Sequence, residues 1–192
     1  MTKLYNASIK ILSIVFSLFL FFQLFTIALH PSLHLDEAYY VGASLKILSG
    51  DLFLTNHIFD KPIFQALWPI PGIIFGGENL IGLRLSAIIS SLIAFLVFFR
   101  IFWNKKDIGT TFTFLAIFTA LFSSPFVIPY LGSSMGEPFL LLCFVFFTKY
   151  YLRSFSIESK KNDQLIYIWY ALALCTKQSA MMWAPMLLPL FI

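Results

Sequence analysis

Apolar residues in this chain come in long runs broken by short polar stretches. A membrane-crossing helix needs about 20 mostly apolar residues. Five runs meet or approach that length, at about 9–30, 80–103, 108–128, 137–153 and 165–190. Arg84 stands near the start of the second, Pro125 and Pro129 close the third, and Thr176-Lys177-Gln178-Ser179 interrupts the fifth. The stretch from Ile63 to Phe75 is apolar too, but it carries Pro69 and Pro71 and is too short to span. It fits a partly inserted or interfacial segment, ended by the turn signal Gly76-Gly77. Residues 36–49 have helical spacing instead. Tyr40 or Val41, Leu45 and Leu48 recur on one face, and Gly50 is placed to stop the helix. The predicted fold is all-α: a polytopic transmembrane helix bundle whose first outer loop holds an amphipathic juxtamembrane helix. No composition shift divides the chain, so 1–192 reads as a single transmembrane domain. The sequence is still apolar from Met186 to Ile192, which predicts the N-terminal part of a longer protein.

Composition strengthens the membrane reading. Of 192 residues, 59% are hydrophobic, 24 are Phe, and only 11% are charged. A soluble domain carries about 25% charged residues. The net charge of +4 does not point to nucleic acid, because the basic residues cluster at the ends of apolar runs. Lys3 and Lys10 precede the first run and Arg100, Lys105 and Lys106 end the second. Lys149, Arg153, Lys160 and Lys161 flank the break after the fourth. By the positive-inside rule all of these face the cytoplasm, which leaves loop 31–79 outside. The expected location is the plasma (inner) membrane, multi-pass, with a cytoplasmic N-terminus. The first run lacks a clear small-x-small cleavage site and reads as an uncleaved helix. Cys143 and Cys175 lie inside apolar runs, far apart in sequence, and look like small core residues.

Against this background the outer polar residues are the candidates for chemistry. Asp36 and Glu37 would cap the loop helix and complement its dipole. A capping carboxylate is also well held, and either could be a general base for a hydroxyl or amine. Asp60-Lys61-Pro62 reads as a turn with a local ion pair, or as a phosphate site in which Lys61 supplies a compact point charge. Glu137 has capping-box spacing from Ser134, with Pro138 suited to a first helical turn, and it faces the same side as Asp36 and Asp60. Arg84 either snorkels to the headgroups or holds a phosphate. Lys177 is a functional candidate if it is buried in a span, or an interfacial residue if the fifth run is broken there. His30, His34 and His57 fall in or beside the outer loop without a zinc-helix spacing.

Together these residues resemble a family. The Asp36-Glu37 pair past the first span, Leu48-Ser49-Gly50-Asp51, Lys61-Pro62, Phe75-Gly76 and Gly82-Leu83-Arg84-Leu85 occur in the order found in GT-C membrane glycosyltransferases. The protein-mannosyltransferase and aminoarabinose-transferase branch is the most similar, and Cys175-Thr176-Lys177 resembles its Thr-Lys-Gly element. Three positions depart from the pattern: Ile63 replaces a second proline, Glu137 stands where Asp is common, and Gln178 replaces Gly. The resemblance implies a hexosyl or pentosyl transferase that moves a sugar from a polyprenyl-phosphate donor to a lipid, glycan or protein acceptor at the outer face. It implies Asp36 as the acceptor-activating base, with Glu37 beside it in the same pair, and Glu137 as a second active-site carboxylate. Asp60 and Lys61 would lie at the donor phosphate or at a divalent metal cation near it, joined by Arg84. The competing class is a transporter-like bundle using Glu137 and Lys177 as an ion path, and it expects those two to lie close together within the bilayer. A third reading is a truncated product without activity of its own.

Overall fold

The computed structural model describes residues 2–30, 35–51, 61–102, 127–154 and 160–191. Those residues form helices and turns, with no strand among them. In chain order the elements are α1 (Thr2–Ala28), α2 (Leu35–Leu48), α3 (Phe64–Leu67), α4 (Ile70–Gly76), α5 (Leu80–Phe102), α6 (Ile128–Leu131), α7 (Glu137–Ser154) and α8 (Lys160–Thr176). A 3₁₀ segment, Gln178–Phe191, follows. The third apolar run lies almost wholly outside the described residues. The fifth divides at Lys177, between α8 and the 3₁₀ segment.

Helices α1 and α5 pack along an apolar seam. Leu20, Leu24 and Ala28 recur every four residues on one face of α1 and are buried against Ile88 and Phe95 of α5. Phe16 stacks on Phe95 at 5.4 Å. The other face of α1 turns Ile14, Leu18 and Phe22 outward, each more than half exposed. Among the described residues one helix, over Leu80–Ile101, is long and apolar enough to cross a membrane. The most extensive packing is between α7 and α8, where Phe146 stacks on Trp169 at 4.4 Å. Cys143 is buried there as expected, whereas Cys175 is exposed.

Helix α2 starts with Asp36 and Glu37 in its first turn and has Lys46 in its last, both matching the helix dipole. It stops at Gly50, whose φ of 105° is left-handed. Gly50 N–H donates to the Ile47 carbonyl at 3.1 Å and Asp51 N–H to the Lys46 carbonyl at 3.0 Å, the paired bonds of a Schellman motif. Its inner face holds the expected Tyr40 and Val41, with Leu45 half-buried beside Val41, but not Leu48. Glu37, Tyr40, Val41, Ser44 and Ile47 point inward, while Leu48 is exposed. Ser44 accounts for the rotation: its hydroxyl lies 2.6 Å from the Ala66 carbonyl of α3, so this side must face α3.

The short stretch before α5 folds into α3 and α4, and α4 lies against the start of α5 with almost no space between backbones. A Cβ on Gly82 would sit 1.9 Å from the Gly77 carbonyl oxygen, and one on Gly72 would sit 2.5 Å from the Gly82 carbonyl oxygen. Only glycine permits this approach. Asn79 caps α5, its Oδ1 accepting from the Gly82 N–H at 3.0 Å.

Candidate functional site

One end of the bundle gathers the C-terminus of α1, the N-termini of α2, α5 and α7, the segment α3, and the C-terminus of α8. Its centre is Arg84, in the second turn of α5. Arg84 is 3% exposed and Glu37 is 1% exposed. Arg84 Nε donates to Glu37 Oε1 and Nη2 donates to Oε2, both at 2.7 Å, in the bidentate geometry that suits guanidinium and carboxylate. Nη1 meets the carbonyls of Ile27, Ala28 and His30 at 2.9, 3.2 and 2.8 Å. The Ala28 carbonyl is one of the orphans that a helix end leaves, the Ile27 carbonyl also accepts from the His30 N–H at 2.9 Å, and His30 lies just past α1. Glu37 Oε1 also accepts from the Ser134 N–H at 2.7 Å, and the Ser134 hydroxyl donates to the Leu83 carbonyl. A single Arg–Glu pair thus ties α1, α2, α5 and the stretch before α7.

This arrangement changes three expectations. Arg84 neither snorkels outward nor offers a free fork to a phosphate, because its donors are turned inward onto Glu37 and α1. Glu37, expected beside the general base, accepts instead from a guanidinium and a backbone amide. Ser134 does not cap α7, because both its groups bond to other elements. Gly136 takes the capping position, its carbonyl accepting from the Leu140 N–H at 2.9 Å.

A second acid–base pair lies beside the first. Glu137, the first residue of α7, accepts from the Lys177 ammonium just past the end of α8. Lys177 is 40% and Glu137 32% exposed, so water reaches both. The break at Lys177 explains this exposure: the lysine stands between two helical segments and not inside one.

Gln65 of α3 lies behind this pair. Its Nε2 donates to the Thr176 carbonyl at 2.7 Å. A Cβ on Gly136 would sit 3.2 Å from Gln65 Cγ and Nε2, so the amide packs on the backbone just before Glu137. The residues preceding Glu137 and Lys177 are thus held by one side chain. Among the described residues, buried Gln65 Oε1 has no hydrogen-bond partner, and neither has Trp68 Nε1 one turn later. Leaving such a group unpaired costs about 1–3 kcal/mol. Neither residue stands out in the sequence, because a neutral amide and a tryptophan in a short apolar stretch look like ordinary packing.

Comparison with known protein families, characterised proteins and solved structures finds no match. The remaining candidates are therefore placed by this chain's own geometry. Asp36 is exposed on the first turn of α2, next to inward-facing Glu37, and Lys61 is exposed just before α3. His30 is exposed at the end of α1. Asp60, His34 and His57 lie outside the described residues. No group of three or more His, Cys, Asp or Glu with metal-binding proximity occurs among the described residues. Glu37 is held by Arg84, and Glu137 contacts Lys177 through Oε1.

Proposed function

We propose that the chain is a polytopic membrane glycosyltransferase that moves a sugar from a polyprenyl-phosphate donor to a hydroxyl or amine acceptor at the outer face. The observation that carries this reading is the gathering of polar groups at one end of an otherwise apolar bundle. Glu37–Arg84 and Glu137–Lys177 are joined there through the stretch Ser134 to Glu137. The opposite end supports the orientation. Arg100, Lys149 and Arg153 lie close enough there to interact electrostatically, and exposed Lys160 and Lys161 start α8. The outward Ile, Leu and Phe of α1 and α5 suit a lipid environment.

In this mechanism the acceptor oxygen or nitrogen attacks the anomeric carbon. The bond from that carbon to the phosphate oxygen breaks, and its electron pair leaves on the phosphate. Asp36 takes the acceptor proton, and Lys61 offsets the charge growing on the leaving phosphate. Glu37 and Arg84 position the first turn of α2 and thereby Asp36. Keeping the donor's tail in lipid and its sugar in water requires a site at the end of the bundle, where Asp36 and Lys61 are exposed.

The test is transfer of labelled sugar from a polyprenyl-phosphate donor by the full-length protein in vesicles. Asp36→Asn should lower transfer about 10²- to 10⁴-fold, the usual contribution of a general base, with membrane insertion unchanged. Normal transfer by that variant would remove Asp36 from the mechanism.

The Glu137–Lys177 contact favours one part of the second reading, an ion path, which expects these two groups to lie close together within the bilayer, whereas the pair is open to water at the end of the bundle. Proton flux into vesicles holding the purified protein, lost in Glu137→Gln, would favour it. Absence of flux in the unmodified protein would eliminate it.

A further inference from the structure

Gln65 and Trp68 present one unpaired acceptor and one unpaired donor, a helical turn apart, on the segment that follows Lys61. Native proteins rarely leave buried polar atoms without partners, and the exceptions concentrate where a ligand or water completes them. The bond from Gln65 Nε2 to a carbonyl fixes the orientation of the amide. A carbonyl can only accept, so Oε1 is the free end. Gln65 itself is 5% exposed and wedged between the residues that precede Glu137 and Lys177. Trp68 stacks on Phe139 of α7 at 4.2 Å, and Phe64 stacks on the same ring at 5.6 Å. An acceptor, a donor, aromatic rings and a water-accessible ion pair therefore adjoin one another.

This set matches one ligand chemistry well. A sugar ring carries hydroxyls that both donate and accept, and its C–H face packs on aromatic rings. A bare phosphate would use Lys177 or Lys61 but would have no use for a buried carbonyl oxygen, which repels it. A lipid tail would leave both polar atoms unpaired. We propose that Gln65 Oε1 and Trp68 Nε1 are specificity-determining contacts for the hydroxyls of the donor's sugar ring, reached when the Glu137–Lys177 pair opens. The inference rests on the transferase reading and adds to it the residues that read the sugar.

The test measures binding by the full-length protein in lipid nanodiscs. The probes are citronellyl phosphate and a panel of citronellyl-phosphate hexoses and pentoses. The best sugar probe should bind at least about 10-fold more tightly than citronellyl phosphate, the worth of one or two well-made neutral hydrogen bonds. Trp68→Phe keeps the stacked ring and removes only the N–H. It should cut that preference about 5- to 10-fold while the affinity for citronellyl phosphate stays unchanged. Gln65→Met should do the same, and should Gln65→Met not fold, Trp68→Phe carries the test alone. Lys61→Ala should weaken all phosphate probes alike. An unchanged preference in Trp68→Phe overturns the inference. Equal binding of sugar and bare-phosphate probes to the unmodified protein also overturns it, while leaving phosphate recognition, and so the transferase reading, in place. Absence of binding by every probe overturns both.

Discussion

Two acid–base pairs stand at the same end of this bundle and are built in opposite ways. Glu37–Arg84 is almost wholly buried, bidentate, and surrounded by further acceptors and a backbone donor. Glu137–Lys177 has one contact, lies open to water, and joins a helix start to a helix break. The difference lies in the cation as much as in the burial. A guanidinium has five donors in a fixed plane and can serve a carboxylate and a helix end together. An ammonium on a flexible stem holds one partner and can release it. The first pair locks the elements, and the second leaves a contact that can open.

The largest effect that would separate them is on stability. Arg84→Met leaves Glu37 in the interior without its guanidinium and takes the Arg84 donor from the Ala28 and His30 carbonyls. Unfolding in detergent should show a loss of about 3–5 kcal/mol. A loss below about 1 kcal/mol would mean the pair is no more structural than an exposed one.

Next is Gly82→Ala, which touches neither pair directly. Its Cβ would meet the Gly77 carbonyl, so α4 must move off α5. The expected cost is about 1–3 kcal/mol by the same measurement, the usual range for overpacking. An unshifted melting curve would show that α4 is not held where Gly72 and Gly82 put it.

Glu137→Gln should be the mildest. Stability should change by less than about 1 kcal/mol, as for other water-exposed pairs. Salt sharpens the contrast. A double-mutant cycle on Glu137 and Lys177 should lose coupling between low and high ionic strength, and one on Glu37 and Arg84 should not. Equal salt sensitivity would collapse the distinction.

Much of the architecture was legible in the chain. The apolar runs found α1, α5 and α7, Gly50 marked the end of α2, and Thr176 to Ser179 marked the break that exposes Lys177. These are local signals, carried by neighbours in sequence. The Glu37–Arg84 lock was not legible, because its members are 47 residues apart and an arginine at the head of an apolar run looks the same whether it points out or in. The rotation of α2 that leaves Leu48 outside is hidden for a related reason. Leu45 and Leu48 outweigh Ser44 in any hydrophobic count, yet the Ser44 hydroxyl bonds to α3 and sets the rotation. The close approach of α4 and α5 needs Gly72 and Gly82 to face each other, which no spacing within either segment states.

The reach of Arg84 back to α1 also bears on the order in which the protein is assembled. The Ala28 and His30 carbonyls at the end of α1 accept from a donor that is synthesised 54 to 56 residues later. During synthesis α1 can form early, but its C-terminal end stays open until α5 follows and brings the arginine. Closure of that end thus reports that α5 has packed on α1 in the observed direction. With α5 reversed along α1, Arg84 would lie far from α1's last turn. The unclosed carbonyls and a Glu37 without its guanidinium would then mark the chain as misassembled.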